Sequence, residues 1–403
     1  MVAGLWPKPS ENARTIPRLK SIRGYAERTA SRSPAGIVLR FCGLRHLPTA
    51  RTVGRWLVAL RARHLPPLQR VNALVAARAI RQTGQRRLTI DVDGSVVSTG
   101  LQVAWAQRGF NPHRRKVPSY YPITAYEAQS GQVLRVQNRP GDIHDGKAAL
   151  PFLRALLHQL RATLGRAYPL EFRMDGAFFR GDVLALLTRA GAEYAIKVPF
   201  YPWLGVKDLV RRTRTWTRVT GTVSCAAHDL EIAPWGQRHR LVVYRTHVQH
   251  ETAKNFQLDL FDPSDGHYEY SAVVTNKPLG GPALWAFMCG RGTHEKVYGE
   301  LKSGFAFACV PTMQYAANSA WQLLSVLAFN LSRGFQLATT ARRRAPSRKR
   351  WARFRFETIH TLRALCFQRA GVLAHPQGRA TLDVGPSPAV ADRFERLDRL
   401  LAA

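Results

Sequence analysis

The sequence predicts an α/β fold in which helices cover both faces of a mixed β-sheet. A hydrophobic content of 45% and an aromatic content of 10% are enough to build a core in a chain of 403 residues. The chain is basic and helix-prone up to about residue 85, and strand-like runs then alternate with amphipathic helices. Strands and helices that alternate in this way are typical of a sheet enclosed by helices.

The first predicted strand is the run of residues 88–96, where apolar and polar side chains alternate. Successive side chains of a strand point to opposite faces of its sheet. Leu88 and Ile90 are therefore expected on one face, and Asp91 and Asp93 on the other. The strand therefore has one apolar face, and it carries two carboxylates on the opposite face near its end.

The elements that follow the first strand give the order of the sheet. Asp145 is expected to cap a long amphipathic helix, and a short strand is expected to end at Asp175. A weaker run, residues 99–106, is either an extra strand or a loop. Without that run the order is three strands, helix, strand, helix, strand, which is the order of the ribonuclease H-like fold. The elements are residues 121–128, 132–136, 145–164, 170–174, 181–190 and 194–198.

Three further regions flank or interrupt this predicted core, which comprises residues 86–200 and 286–340. Residues 1–85 are basic and helical, either a DNA-binding region of the helix-turn-helix type or a helical packing module. Residues 201–285 read as a β-rich insertion that precedes the helix carrying Glu295. Residues 341–403 are basic and helical, and the run 342–356 is either a DNA contact or a solvated linker.

Residues 318–337 predict a long amphipathic helix. Trp321, Leu324, Leu331 and Phe335 recur at helical spacing. We expect this stripe to face the core.

The charge of the chain is its most unusual property. Sixty Lys and Arg residues stand against 26 Asp and Glu residues, which gives a net charge of +34. A protein this basic repels itself unless it meets a polyanion, and nucleic acid is the commonest such partner. The five cysteines form no CxxC pair, so neither a zinc site nor a disulfide framework is indicated. With no signal peptide and no apolar run long enough to span a bilayer, we expect a cytoplasmic protein without a membrane partner.

Three acidic residues stand where this fold places its chemistry. Asp93 lies at the end of the first strand, Asp175 ends the strand after the long helix, and Glu295 lies on a later helix. Two Asp and one Glu suit Mg²⁺, a hard cation that prefers oxygen ligands. Two such ions can activate a nucleophile and stabilise the leaving oxygen of a phosphoryl transfer. Asp91 lies on the same strand face as Asp93 and is the alternative first ligand.

The predicted helix of residues 290–305 carries Glu295 between two cations. Arg291, Glu295, Tyr298 and Lys302 are spaced so that all four lie on one stripe of the helix. Such a stripe combines a metal ligand with two phosphate-binding groups. Taken alone, the same spacing is also typical of a solvated helix face.

Several motifs of the sequence occur together in one known family. They are Asp93-Gly94-Ser95, Arg173-Met174-Asp175-Gly176-Ala177-Phe178, and Arg291, Glu295 and Lys302 at set intervals, with further blocks at residues 109–134 and 138–146. The chain resembles the DDE transposases of bacterial insertion sequences with a Y-R-E-K signature, most closely the insertion-sequence thirteen-eighty group. The resemblance covers roughly residues 85–400. Two positions depart from the pattern: Met288 stands where the family has Tyr, and Ser95 where it has Thr.

The resemblance implies roles for particular residues. Asp93, Asp175 and Glu295 would be the catalytic ligands of two Mg²⁺ ions, with Mn²⁺ as a substitute. Residues implied in contacts with DNA include the phosphate clamps Arg291 and Lys302, and Tyr298 as a substitute for the missing family Tyr. The others are Arg173 and two tryptophans of the β-rich insertion, Trp216 and Trp235, which either stack on bases or belong to the core.

The implied function is cleavage and strand transfer at the ends of an insertion sequence. Its partners would be double-stranded DNA with terminal inverted repeats, target DNA and a second copy of the chain in a synaptic complex at the bacterial nucleoid. Two alternatives are a catalytically inactive DNA-binding relative and a structure-selective DNA nuclease of the ribonuclease H-like fold. The acidic triad disfavours the inactive relative, because a pure binding protein gains nothing from carboxylates that face phosphate.

Overall fold

The structure is a computed structural model that describes residues 48–402 with interruptions. The interruptions are residues 101, 110, 112–115, 167, 248–266, 341–353, 355, 367, 369–370, 375–376, 378–380 and 385–386. Part of the predicted β-rich insertion, residues 248–266, and most of the basic run 342–356 therefore lie outside the described residues.

Ten α-helices and thirteen strands are present in the described part of the chain. The helices are α1 Ala50–Ala59, α2 Leu65–Thr83, α3 Asp145–Leu164, α4 Gly181–Arg189, α5 Val206–Arg212, α6 Gly281–Cys289, α7 Gly292–Gly304, α8 Tyr315–Thr339, α9 Ile359–Cys366 and α10 Pro388–Ala402. The strands are β1 Leu88–Gly94, β2 Val97–Ser98, β3 Ser119–Tyr120, β4 Ile123–Glu127, β5 Gln132–Gln137, β6 Leu170–Met174, β7 Glu193–Val198, β8 Thr217–Arg218, β9 Val223–Ile232, β10 Gln237–His247, β11 Tyr268–Thr275, β12 Gly371–Ala374 and β13 Thr381–Val384.

A nine-stranded mixed sheet organises the molecule, in the order β5-β4-β1-β6-β7-β11-β10-β9-β8. The pairs β4–β5 and β1–β4 are antiparallel, whereas β1–β6 and β6–β7 are parallel. Strand β11 joins β7 in antiparallel orientation, and β10, β9 and β8 follow as antiparallel neighbours. Because β1, β6 and β7 are parallel, their carboxyl ends meet at one edge of the sheet. The segments that follow them are brought together there.

The two faces of the sheet carry different hydrophobic clusters. On one face the apolar side chains of β1 and β6 pack with helices α2, α3 and α4. On the other face β4 and β5 pack with α7 and α8, and β9, β10 and β11 pack with α6. Leu88, Ile90 and Val92 belong to the first cluster, so the alternation of β1 leaves Asp91 and Asp93 for the face covered by α6 and α7. The predicted mixed α/β sheet is confirmed.

The regions outside the core strands β5, β4, β1, β6 and β7 are the insertion and the N- and C-terminal regions. Between residues 201 and 285, β8–β11 continue the same sheet. In the C-terminal region β12 and β13 pair as an antiparallel hairpin, which the helical prediction for residues 341–403 did not include. In the N-terminal region α2 packs against α8 and β5. No helix among the described residues is both long enough and apolar enough to cross a membrane.

The cap of helix α3 differs from the one expected. The N-cap is His144, whose side chain accepts a hydrogen bond from the Gly146 amide at 3.1 Å. Asp145 is the first residue of the helix, and its carboxylate pairs with Arg139. The cap is thus one residue earlier than expected, and the carboxylate of Asp145 binds the buried guanidinium of Arg139 instead of capping the helix.

Edge strand β5 is closed by side-chain amides in place of another strand. The Asn330 amide of α8 donates to the carbonyl of Val133 and accepts from its amide, both at 2.8 Å. Gln69 of α2 donates to the Leu134 carbonyl and accepts from the Val136 amide, at 3.2 and 3.3 Å. An open edge would leave these backbone groups without partners or available to another chain. The two helices therefore form hydrogen bonds with the backbone of the edge strand as well as packing against the sheet.

The buried face of α8 is not the one predicted from its apolar stripe. Leu331 is 55% exposed, whereas Asn330 is fully buried. Asn318 and Gln336 are also buried and bond to groups on neighbouring segments. The expectation was wrong because the buried face of α8 combines apolar side chains, Leu323, Val326 and Phe329, with amides that bond to backbone groups of a sheet edge and of connecting segments.

Asn330→Ala is expected to destabilise the protein by about 3 kcal/mol. The substitution leaves a buried N–H and a buried C=O of β5 without partners, and each such loss typically costs ~1–3 kcal/mol. The measurement is urea unfolding monitored by circular dichroism. The matched control is Leu331→Ala on the exposed side of the same helix, expected within about 0.5 kcal/mol of the wild type. Equal losses from the two variants would contradict the assigned role of Asn330.

Candidate active site

Two aspartates and an arginine converge at the carboxyl edge of the parallel strands. Asp93 is the penultimate residue of β1, and Asp175 directly follows β6. The Nη2 atom of Arg291, just before α7, lies 3.1 Å from Oδ2 of Asp93 and 3.7 Å from Oδ2 of Asp175. All three side chains are partly exposed: Asp93 at 21%, Asp175 at 33% and Arg291 at 23%. The structure thus brings together two of the three predicted acidic residues and one predicted phosphate clamp.

Local backbone structure fixes the orientation of both aspartates. The Oδ1 atom of Asp93 accepts a hydrogen bond from the Gly94 amide at 3.0 Å. Asp175 caps the short 3₁₀ turn Gly176–Phe178, and its Oδ1 accepts from the Ala177 amide at 3.1 Å. In each carboxylate the backbone engages Oδ1, while Oδ2 is the oxygen nearest to Arg291.

Asp91 and Asp93 have different surroundings although they share one strand face. Asp91 is fully buried, and both of its oxygens accept hydrogen bonds from Arg173 of β6, at 2.6 and 2.7 Å. Arg173 is also buried and donates to the Phe287 carbonyl at the end of α6, at 2.8 Å. Arg173 was predicted to contact DNA, and the structure instead gives it an internal ion pair. Asp93 is the carboxylate of this strand that solvent can reach.

Burial and neighbouring acids raise the pKa of both accessible aspartates. Burial is the main cause of the raised pKa of Asp93, about 7, and the carboxylates of Asp175 and Asp145 add to it. The Arg291 guanidinium and the Gly94 amide act in the opposite direction. Burial likewise raises the pKa of Asp175, with Arg291 opposing it and Asp145 adding to it. Carboxylates held in this way bind protons readily and gain from a cation that neutralises them.

Asp145 is a neighbour of the site that the sequence did not identify. It is buried in an ion pair with Arg139, and it also forms a hydrogen bond with the Tyr121 side chain. A Cβ atom at Gly94 would lie 2.7 Å from both carboxylate oxygens of Asp145. Only glycine leaves room for this carboxylate directly behind Asp93. The block of residues 138–146, which carries both Arg139 and Asp145, is the sequence signal that was available.

Glu295 lies on α7, one turn after Arg291, with an exposed side chain. The structure does not bring it together with the two aspartates. In the described part of the chain, no group of three His, Cys, Asp or Glu side chains is arranged to hold a metal ion. Asp93 and Asp175 still offer oxygen ligands at one accessible position, which suits a hard cation such as Mg²⁺. Burial and the neighbouring carboxylates raise the pKa of both aspartates, so a bound cation would compensate for their ionised form.

Tyr298 does not occupy the position that its predicted role requires. Its side chain is only 6% exposed, and its hydroxyl is hydrogen bonded inside the protein. The four residues of the predicted stripe lie within about 60° of the helix circumference, at ~100° per residue. This stripe follows the boundary of the buried face, so that Tyr298 lies inside it, Arg291 and Lys302 are partly exposed, and Glu295 faces solvent. Tyr298 is not available to a phosphate in this structure.

Lys302 keeps a position beside the site. Its ammonium donates to the carbonyl of Val96, in the segment after β1, at 3.0 Å. It also lies 5.9 Å from the centre of the Tyr298 ring. Partial burial lowers the pKa of Lys302. One of its three N–H donors is thus used by the protein, and the ammonium is tied to the loop that follows Asp93.

Trp216 and Trp235 both pack against the hydrophobic core. The Trp216 indole donates to the Thr213 carbonyl at 3.2 Å, and the Arg245 guanidinium lies 4.4 Å from its ring centre. Trp235 packs on Phe179 with ring centres 4.9 Å apart. Both indoles are partly buried, so these positions fit the core alternative that the sequence left open. Their predicted contacts with bases stay predictions.

Comparisons with known proteins agree with the motifs of the site. A family model described as transposase DDE domain group 1 matches residues 38–401. A search among curated proteins finds no match to the sequence.

Among solved structures, the chain is similar to piggyBac transposase in a synaptic complex with hairpin DNA. Identity is 10%, the match covers 60% of this chain and 48% of that one, and the TM-score is 0.34. Mos1 transposase in a paired-end complex with the left transposon end gives 11% identity over 48% of this chain and 61% of that one, with a TM-score of 0.21. This chain therefore spans about half to three fifths of the length of those transposases, and such low TM-scores carry no argument on their own.

Asp93→Asn is expected to change the pH dependence of stability. The pKa of Asp93 in the folded protein, about 7, lies above the value near 4 of an unfolded chain. The folded protein therefore prefers the protonated form, and this contribution to stability is lost as the pH rises from about 4 to about 7. Asparagine stays neutral, so the free energy of unfolding of the variant should rise relative to wild type by roughly 1–3 kcal/mol between pH 4 and pH 8.

The measurement is urea unfolding in EDTA at several pH values. Asp182→Asn is the matched control, because hydrogen bonding to Arg180 lowers the pKa of the exposed Asp182. That variant should lose stability relative to wild type as the pH rises towards about 4, which is the opposite sign, and should then differ from wild type by a nearly constant amount up to pH 8. A pH-independent difference between Asp93→Asn and wild type would contradict the raised pKa.

Proposed function

Because the chain belongs to the DDE transposase family, we propose that it is a transposase that cleaves DNA at the ends of a bacterial insertion sequence and joins them to target DNA. The observation that supports this function most directly is the convergence of Asp93, Asp175 and Arg291 at the carboxyl edge of adjacent parallel strands. The Y-R-E-K signature of the thirteen-eighty group is part of the proposal. Arg291, Glu295 and Lys302 fit that signature, and Met288 departs from it.

The proposed core is of the ribonuclease H-like type. Its support is the order β5-β4-β1-β6-β7, in which the first three strands are antiparallel and β6 and β7 run parallel to β1. Strands β8–β11 form the proposed insertion before α7. These strands continue the same nine-stranded sheet that carries the carboxyl edge.

Asp93, Asp175 and Glu295 are the residues that would hold divalent metal ions. Bound Mg²⁺, or Mn²⁺ as a substitute, would supply charge that activates a water or a 3′-hydroxyl and stabilises the leaving oxygen. The protein contributes two orientated carboxylates that are costly to leave ionised and unneutralised. Glu295 extends from α7 into solvent, on the helix that begins beside both aspartates.

Arg291 and Lys302 are the proposed phosphate contacts. The guanidinium of Arg291 now balances Asp93 and Asp175 at 3.1 and 3.7 Å, distances that are long for a charge-assisted hydrogen bond. Neutralisation of the aspartates by another cation would leave this guanidinium for a phosphate oxygen. Lys302 has two N–H donors beyond the one bound to Val96 and adds a second positive charge.

Glu295→Gln is expected to reduce the rate of Mg²⁺-dependent strand cleavage at least about 100-fold, while the protein still binds an end sequence. The substitution removes a proposed metal ligand and keeps the size of the side chain. Cleavage of labelled end DNA and its electrophoretic mobility shift measure the two properties. The matched control is Glu300→Gln on the same helix, because Glu300 pairs with Arg333 away from the aspartates.

The outcome also separates the competing functions. Retained cleavage in Glu295→Gln would exclude Glu295 from the site. An inactive DNA-binding relative would show no cleavage even in the wild type. A structure-selective nuclease would cut DNA but give no joined product from a pre-cleaved end, whereas a transposase forms that product.

The N-terminal helices α1 and α2 are a proposed contact for double-stranded DNA with terminal inverted repeats. No Asp or Glu lies between Glu27 and Asp91, while Arg51 and Arg55 on α1 and Arg70 and Arg78 on α2 are exposed. An exposed helical surface without acids attracts phosphate irrespective of base sequence. We include in the proposal a second copy of the chain in the DNA complex and a location at the bacterial nucleoid.

Arg51→Ala/Arg55→Ala is expected to weaken DNA binding about tenfold at moderate salt. The loss of two phosphate contacts should also reduce the slope of log affinity against log salt by about 2. Fluorescence anisotropy over a salt series gives both values. Arg211→Ala/Arg238→Ala is the control, since those exposed arginines already pair with Asp208 and Glu231. Equal salt slopes for the two double variants would remove α1 from the proposed DNA surface.

A further inference from the structure

Tyr298 joins helix α7 to the main chain of Asp93. Its hydroxyl accepts a hydrogen bond from Oγ1 of Thr124 at 2.7 Å and donates one to the carbonyl oxygen of Asp93 at 2.8 Å. Thr124 lies on β4 directly opposite Asp93 of β1 in the antiparallel register. A side chain from a helix thus bridges a cross-strand pair at the point where β1 delivers its carboxylate.

A third side chain extends this chain of hydrogen bonds. The Nε2 atom of His294 lies 2.9 Å from Oγ1 of Thr124. Thr124 donates its own proton to Tyr298, so His294 must donate to Thr124 from Nε2–H. The direction of donation is therefore fixed from His294 through Thr124 and Tyr298 to the carbonyl of Asp93. The last hydrogen bond of the series ends on the backbone carbonyl of the proposed metal ligand.

Ring stacking holds the Tyr298 side chain in place independently of its hydroxyl. The His294 ring stacks between Tyr298 and Tyr126, with ring centres 4.9 and 5.5 Å apart and interplanar angles of 16° and 17°. Thr124 and His294 are almost completely buried. Phenylalanine at position 298 would keep the ring stack and lose only the hydroxyl. The role of the hydrogen bonds can therefore be separated from the role of packing.

We propose that Tyr298 is a positioning residue that fixes α7 relative to Asp93 and so sets the distance of Arg291 and Glu295 from the two aspartates. Arg291 and Glu295 lie seven and three residues before Tyr298, and Lys302 lies four residues after it. The bond to Asp93 fixes both the rotation and the height of this helix against the end of β1. The inference rests on the proposed function, because it concerns the geometry of the same metal-binding position.

The test uses Tyr298→Phe in the full-length chain. We expect the Mn²⁺ concentration for half-maximal cleavage of end DNA to rise about tenfold, while kcat at saturating Mn²⁺ changes by less than about threefold. Mn²⁺ affinity without DNA, measured by electron paramagnetic resonance, should fall by a similar factor. A residue with a merely structural role would lower thermal stability without moving the metal dependence.

Matched variants make the result specific. Tyr244 is also buried, and its hydroxyl donates to the Gly281 carbonyl at 2.9 Å, so Tyr244→Phe loses the same kind of bond elsewhere in the sheet. It should keep the wild-type Mn²⁺ dependence. Thr124→Val removes the donor that orients the Tyr298 hydroxyl and should shift the Mn²⁺ dependence in the same direction by a smaller factor, and Thr124→Ser, which keeps the hydroxyl, should retain wild-type behaviour.

Wild-type Mn²⁺ dependence in both Tyr298→Phe and Thr124→Val would overturn the positioning role, provided that the wild-type chain itself cleaves DNA and binds Mn²⁺. The same role fails if Tyr244→Phe shows the full defect. Absence of Mn²⁺ binding and cleavage in the wild type would instead overturn the proposed function. The two failures are therefore distinguishable.

Discussion

The need to balance negative charge at the carboxyl edge of the sheet constrains the rest of this structure. A chain with more than twice as many basic as acidic residues gathers Asp91, Asp93, Asp145 and Asp175 close to one another. Removing a carboxylate from water costs several kcal/mol unless a cation or hydrogen bonds compensate for it. The chain supplies one arginine beside each part of the cluster: Arg173 from β6, Arg139 from the segment after β5, and Arg291 before α7. These three partners fix the relative positions of strands and helices that are distant in the sequence.

The same pairing of aspartate with arginine serves two purposes, which burial separates. Asp91 is fully buried and accepts hydrogen bonds from Nε and Nη2 of Arg173 at 2.6 and 2.7 Å. Loss of this pairing would leave a buried charge without a partner. Asp93 and Asp175 are reached by solvent and share Arg291 at 3.1 and 3.7 Å. These contacts are longer, and the proposed metal ions would take over the balance of charge there. One strand thus carries a buried ion pair and a solvent-accessible one two residues apart.

The sequence predicted the elements of this fold better than the partners of individual polar residues. The sequence placed β6 at its observed bounds and the start of α3 within one residue, because the period of the apolar residues indicates the type of element and the side of it that is buried. It could not show that Arg173 turns towards Asp91, since an arginine in a motif reads the same whether it meets a phosphate or a buried carboxylate. The buried amides of α8 were missed for a related reason. Asn330 is buried to satisfy a strand edge, and no repeat within α8 records the existence of that edge.

Helix α7 shows how small a rotation separates structural from functional side chains. Arg291, Glu295, Tyr298 and Lys302 lie within about 60° of one another, yet they range from buried to exposed because the boundary of the core runs through the stripe. A rotation by one residue, ~100°, would carry Glu295 into the core or expel Tyr298 from it. Apolar contacts of Val297 and Leu301 are non-directional and set this angle only coarsely. A hydrogen bond has a narrow range of distance and angle, and the bond from Tyr298 to the Asp93 carbonyl therefore defines the angle at the one place where an error would move the carboxylates and their arginine apart.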